Sequence, residues 1–170
     1  MRRYVHHELT AVAEAVGAAA VTAPVVFAVH GVPKFDGDSR VLAILAAFSA
    51  VNGVLAGTRL RWLGGEKQEF EDAVPLADPD SVLPTPGESL RRSFDKSAVF
   101  LVLFGLTVGL VWAAPIMAFW SLIFLPERLI KGAYGSFWER RHGVLLWQGR
   151  VPEQPLGKGQ YLYSSVRKPD

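Results

Sequence analysis

An uncharged run of 28 residues, Ala98 to Leu125, constrains this chain more than any other feature of the sequence. Roughly 20 apolar residues cross the hydrocarbon core of a bilayer as a helix, and about 18 without charge already indicate a candidate span. A buried helix of a soluble protein would carry polar residues on one face. The run therefore predicts a membrane location for residues 98–125.

Two further segments have the same character. Val41 to Thr58 is uncharged and is bounded by basic residues, which predicts a second span. The segment from Leu9 to Val29 is rich in alanine and predicts a first span. A signal peptide is the alternative, but Glu14 interrupts the apolar run and Pro24 follows the best small-residue cleavage site. We interpret this segment as a retained span.

The expected fold is an all-α integral membrane protein with three transmembrane helices, an interfacial amphipathic helix and an extended C-terminal tail. The chain divides into five segments in this reading. They are an N-terminal segment with the first span (1–30), a short loop with the second span (31–58), a polar, proline-rich loop (59–97), the third span (98–125), and the amphipathic helix with the tail (126–170).

The positive-inside rule places the N-terminus and both ends of the polar loop on the cytoplasmic or matrix side, whereas the basic tail conflicts with an odd number of spans. A helical hairpin within residues 97–130, turning near Pro115, would give four spans and a tail on the same side as the loop. One long helix kinked at Pro115 would put the tail on the opposite side. We favour the long helix, because only Arg128 and Lys131 lie close to the span.

Residues Glu127 to His142 show the periodicity of an amphipathic helix. Tyr134, Phe137 and Trp138 belong to its apolar face, and Arg128 and Lys131 to its basic face. The pattern is typical of a helix on the bilayer surface with its cations toward lipid phosphates, or of a helix packed on a partner subunit. A strand follows at Val144–Trp147, and the remaining tail is expected to be ordered only on another protein.

Small residues on the predicted spans indicate close helix packing. Gly53 and Gly57 form a Gly-xxx-Gly face on the second span, and Gly105 and Gly109 repeat it in the third. Two polar residues within the first two spans, Glu14 and Asn52, are expected at similar depth on facing helices. We interpret them as a hydrogen bond between helices; a proton or ion relay is the functional alternative.

The sequence contains no catalytic, phosphate-binding or metal-binding motif, so no catalytic residue, cofactor or metal is predicted. There is no cysteine, and the net charge of +2 is too small to indicate a nucleic-acid partner.

These features predict a non-enzymatic accessory or structural subunit of a larger membrane complex, in contact with membrane lipids and other membrane subunits. The bacterial plasma membrane and the mitochondrial inner membrane both suit this prediction. One alternative is a self-assembling channel or membrane-perturbing effector, and the other is a membrane-embedded enzyme that modifies lipids.

Overall fold

The computed structural model describes residues 1–33, 37–58, 65–84, 87–88, 97–111 and 115–166. The helices are α1 (Tyr4–His30), α2 (Gly37–Ala56), α3 (Lys67–Glu71), α4 (Pro79–Val82), α5 (Ser97–Val111), a 3₁₀ segment (Pro115–Phe124) and α6 (Leu125–His142). The strands are β1 (Arg2–Arg3), β2 (Val74–Pro75), β3 (Val144–Gln148) and β4 (Leu162–Val166).

The four strands form one mixed sheet in the order β1-β3-β4-β2. Strands β3 and β4 are antiparallel, with Val144 opposite Val166, and β2 runs parallel to β4. The sheet thus joins the N-terminus, the polar loop and the tail. Because of this sheet, the expectation of an all-α protein is wrong. The expectation of a tail ordered only by a partner is also wrong, because β4 of the tail pairs with β3 and its Tyr163 is fully buried in this chain.

Only one helix in the described part of the chain, α1, is long and apolar enough to cross a membrane. The apolar parts of α2 and α5 are shorter, at Leu42–Ala56 and Ala98–Val111. The expectation of three transmembrane helices is therefore wrong. The predicted third span, residues 98–125, does not form one long helix, because this apolar run divides into α5 and the 3₁₀ segment.

The division occurs around Pro115. Helix α5 ends at Val111 and the 3₁₀ segment begins at Pro115; residues 112–114, beside the turn of the predicted hairpin, lie outside the described residues. The indole Nε1 of Trp120 donates to the carbonyl oxygen of Leu101 at 3.2 Å, and the Trp120 and Phe104 rings lie 4.3 Å apart. Since residue 120 lies beside residues 101–104, the chain reverses here. The preference for one long kinked helix is wrong.

Contacts with α1 give the directions of the apolar segments. Gly105 lies beside Thr22 and Gly109 beside Val26, so α5 runs parallel to α1. The hydroxyl of Ser121 donates to the carbonyl oxygen of Ala15, so the 3₁₀ segment runs back. Helix α1 begins next to β1, and we therefore call that end of the molecule the sheet end. His30 and the end of α5 lie together at the opposite end, where the His30 ring contacts the carbonyl oxygen of Leu110.

Helix α6 packs against α1, α2 and the 3₁₀ segment. Its buried residues are Gly132 and Gly135, which lie toward α1, and Glu139, which lies toward β1 and β3. The helix is capped by Gly143, whose φ of 65° favours glycine. The expectation of a separate interfacial helix is wrong, because α6 packs against three other elements of the same chain. Glycines at positions 132 and 135 allow α1 to approach closely, and that contact positions the charged side chains described next.

Candidate functional site

The main polar cluster of the described structure lies at the sheet end, where α1, α6 and the start of α3 meet. Glu8 is buried on α1, and both of its carboxylate oxygens accept hydrogen bonds from Nη1 of Arg128, at 3.0 and 3.2 Å. A buried carboxylate without such a partner would be strongly destabilising, because desolvation penalises the charged form. Arg128 therefore makes the packing of this part of α1 possible.

Lys131 forms the centre of the cluster. Its Nζ lies 2.9 Å from Oε1 of Glu66 and 2.9 Å from Oε1 of Glu127. The hydroxyl of Tyr4 donates to the other oxygen of Glu66. Burial acts to lower the pKa of Lys131, but the Glu66 and Glu127 carboxylates outweigh it, and the pKa is raised. Lys131 is therefore held as a cation that ties α6 to the polar loop.

A third pair closes the cluster next to the sheet. Nη2 of Arg3 lies 2.5 Å from Oε2 of the buried Glu139. The other carboxylate oxygen, Oε1, accepts a hydrogen bond from the backbone N–H of Leu146 in β3. Glu139 thus connects β1, α6 and β3. We refer to the charged residues of these three groups together as the charged junction: Arg3, Glu8, Glu66, Glu127, Arg128, Lys131 and Glu139.

Aromatic rings cover one side of the charged junction. Phe70 of α3 is buried, stacks on Tyr134 at 5.6 Å between centroids, and meets Tyr4 edge-on at 5.0 Å. Trp138 packs against Phe70 and stacks on His142. The Tyr4–Glu66 hydrogen bond places this aromatic cluster next to the ion pairs, in which Arg128 and Glu127 remain partly accessible to water.

Every charged group of this junction contacts a group of opposite charge, and the seven residues come from β1, α1, α6 and the residue before α3. Such an arrangement joins chain segments that are far apart in sequence. Because these charges pair with one another, the chemistry of the arrangement suits a fixed structural connection between the apolar helices and the sheet.

The predicted packing residues of α1 and α2 do not face each other as a pair. Glu14 is buried on α1 and Asn52 is half-buried on α2, but α1 and α2 do not form a packed pair in the described part of the chain. Gly53 and Gly57 instead face α6, next to Ile130 and Tyr134.

The predicted packing residues of α5, and most of the predicted lipid-facing residues of α6, contact other parts of this chain. Gly105 and Gly109 face α1. Arg128 and Lys131 point to carboxylates of this chain, Tyr134 and Trp138 are half-buried on Phe70, and Phe137 is exposed.

Four residues of this site are not predicted from the sequence: Tyr4, Glu8, Glu66 and Glu139. Tyr4 and Glu8 are one turn apart, so the sequence shows a polar face at the start of α1. Their side-chain partners lie more than 50 residues away along the chain, and no periodicity indicates such a pairing.

No group of histidines, aspartates and glutamates in the part of the chain that the structure describes has the arrangement of a metal site. Comparison with known proteins finds no matching family model, no matching curated protein and no matching solved structure.

Proposed function

We propose that this chain is a membrane-anchored, non-enzymatic accessory subunit, in which α1 crosses the bilayer and the sheet end lies at the membrane surface. The observation that carries the proposal is the exposed side of α1. From Leu9 to Val29, every exposed residue is apolar or glycine: Leu9, Ala13, Val16, Gly17, Ala20, Val21, Pro24, Val25, Ala28 and Val29.

The length of this apolar stripe suits a bilayer. Twenty-one helical residues extend about 30 Å, which is the thickness of the hydrocarbon core. The polar side chains of the same region point inward, and Thr22 donates to the carbonyl oxygen of Ala118. In a soluble protein the stripe would face water over its whole length, and monomeric surfaces rarely carry apolar patches of that size.

The shorter apolar helices carry similar surfaces. The exposed residues of α2 between Ala43 and Val54 are all apolar, and α5 exposes Phe100, Leu103 and Phe104. Thr107, also exposed, donates its hydroxyl to the carbonyl oxygen of Leu103, which suits an apolar environment. Helix α5 enters the hydrocarbon layer packed on α1, and α2 enters it packed on α6 and the 3₁₀ segment, without either having to cross the layer.

Retention of α1 in the mature protein is supported by its contacts. Helix α1 packs against α5, the 3₁₀ segment and α6, and it supplies Tyr4 and Glu8 to the polar cluster. Cleavage after Ala23 would leave Arg128 without its carboxylate partner.

The role of accessory subunit is supported by the sheet end. The charged junction and the sheet hold three distant parts of the chain in one fixed arrangement. Beside the sheet lies a groove of about 540 Å³ with largely apolar walls that include Val151, Pro152, Leu156 and Tyr163. A rigid surface of this kind, located where α1 emerges, suits attachment to another subunit of the same membrane.

The test has two steps. Membranes that contain the chain are washed with alkaline carbonate, and the retained protein is purified in mild detergent for mass and composition analysis. We expect retention in the membrane, and then a complex with different chains. Release by carbonate would contradict the membrane anchor, whereas a pure homo-oligomer would favour the channel alternative over the accessory subunit.

A further inference from the structure

The outer face of α6 carries a second apolar surface that ends in two arginines. Leu129, Ala133 and Phe137 are exposed and follow each other at intervals of four residues, and the exposed Arg140 and Arg141 come next. This face lies away from the polar cluster, because Arg128, Gly132 and Gly135 point toward α1 and Ile130 and Tyr134 toward α2.

The α6 surface is continuous with the apolar stripe of α1. Leu9, the first exposed residue of that stripe, lies 3.9 Å from the position that a Cβ at Gly132 would occupy. Further along α6, a Cβ at Gly135 would lie 2.8 Å from the Tyr4 ring. Phe137 therefore lies close to the level of Tyr4 along the axis of α1.

That level corresponds to the headgroup layer. Tyr4 precedes Val29, the last residue of the α1 stripe, by 25 positions, or about 38 Å of helix. A bilayer with its headgroups is about 40–45 Å thick, of which the hydrocarbon takes about 30 Å. Arg140 and Arg141 begin one turn further out, and their long side chains can reach back to lipid phosphates.

The two arginines differ from the other cations of α6. Arg128 and Lys131 are paired with carboxylates, as described above. Arg140 donates Nε to the carbonyl oxygen of Ser136, and the guanidinium of Arg141 lies 5.9 Å from the centroid of the Phe137 ring. Both remain exposed at the surface, and Arg141 lies over the Phe137 ring.

We infer that Arg140, Arg141 and Phe137 form a contact site for anionic phospholipid, with the guanidinium groups on the phosphate and the Phe137 ring beside them at the level of the headgroups. The inference rests on the proposed membrane anchor and adds to it a selectivity for lipid charge. Each arginine close to an anionic membrane surface is expected to strengthen binding about fivefold, so the two together contribute roughly 25-fold.

The experiment is a lipid titration of the full chain in an uncharged detergent, followed by the melting temperature. The probes are short-chain phosphatidylglycerol, short-chain phosphatidylcholine and inorganic phosphate. For the unmodified chain we expect stabilisation at a lower concentration of phosphatidylglycerol than of phosphatidylcholine, and little effect of phosphate alone. Equal effects of the two lipids, or the same stabilisation by inorganic phosphate, would overturn the inference.

Two variants of equal charge test the position of the site. Arg140→Gln/Arg141→Gln should raise the half-saturating concentration of phosphatidylglycerol roughly 25-fold. Arg150→Gln/Lys158→Gln, which changes two exposed cations of the tail, should leave it within about twofold of the unmodified value. Equal losses in both variants would mean a general charge effect and no site on α6.

Carbonate extraction separates failure of this inference from failure of the membrane anchor. A chain that stays in the membrane but shows no preference for phosphatidylglycerol retains the anchor and loses the lipid site. A chain that carbonate releases loses both.

Discussion

Val74 of β2 pairs in parallel register with Tyr163 of β4, so the polar loop between α2 and α5 is hydrogen-bonded to the C-terminal tail. A backbone ladder cannot cross a bilayer. The loop and the tail therefore occupy the same side of any membrane that contains α1, in contrast to the opposite sides that one long apolar helix would require.

Single cysteines provide a direct test of this topology, because the chain has no cysteine of its own. Asp72→Cys lies in the loop, Glu153→Cys in the tail, and Val32→Cys follows the far end of α1; all three positions are exposed. A membrane-impermeant maleimide should label the first two from one side of sealed vesicles and Val32→Cys from the other. Labelling of Asp72→Cys and Glu153→Cys from different sides would contradict the sheet.

The approach of α2 to α6 at Gly53 leads to a stability prediction. A Cβ at this position would lie 2.9 Å from Cβ of Ile130 and 3.0 Å from Cα of Glu127, and backbone atoms cannot move aside cheaply. Gly53→Ala should therefore destabilise the fold by about 1–3 kcal/mol, measured by thermal unfolding in detergent.

Gly17→Ala is the matched control. Gly17 is also a helical glycine, but nothing lies within 4 Å of its added Cβ, so alanine should stabilise α1 by about 0.5–1 kcal/mol. Destabilisation of both variants by the same amount would contradict the role of the contact with α6, because Gly17 has no such contact.

Local patterns predict some elements of this fold well. The apolar periodicity of residues 127–142 indicates a helix that the structure places at Leu125–His142, and the strand at Val144–Trp147 appears as β3. Both depend on side-chain spacing within one element and on the glycine at position 143, which the helix end requires.

Pairing between distant segments could not be predicted in this way. Strand β4 includes Ser164 and Ser165, which weaken its apolar alternation, and it is stabilised by β3, about 20 residues earlier. Glu8 and Glu66 carry no sign in the sequence of which cation they meet. The sequence also does not decide whether the chain reverses at Pro115, because proline is compatible with both a kinked helix and a turn.

The Glu8–Arg128 pair is expected to stabilise the fold through the burial of Glu8, whose side chain is 4 % exposed. Arg128→Met removes the partner and leaves a buried carboxylate, which should cost about 2–3 kcal/mol of unfolding free energy near neutral pH. Thermal unfolding of Arg128→Met, Glu8→Gln and the double variant forms a mutant cycle.

The double variant should recover a large part of the loss, because the neutral amide needs no counter-ion. Arg150→Met, at an exposed position, should change stability little. A double variant less stable than Arg128→Met would show that Glu8 stabilises the fold through some other contact than this pair.

Lys131 should give the fold a dependence on alkaline pH. Its pKa is raised in the folded state by the Glu66 and Glu127 carboxylates, which outweigh the effect of burial. A raised pKa means that the stabilisation is fully present below the unfolded-state pKa of about 10.4 and is lost as the pH rises through the higher folded-state value. Lys131→Met should therefore be less stable than the unmodified chain by about 1–3 kcal/mol up to about pH 10.

The measurement compares melting temperatures of the two proteins from about pH 6 to pH 11.5, a range chosen to cover the lysine titration. Burial also raises the pKa of Tyr134, but this effect is present in both proteins and cancels in the difference. The difference should stay constant to about pH 10 and narrow above it. Lys158→Met, at an exposed position of the tail, should show no difference at any pH. A difference that narrows already between about pH 6 and 8 would assign the stabilisation to a group other than the Lys131 ammonium, because lysine does not titrate there.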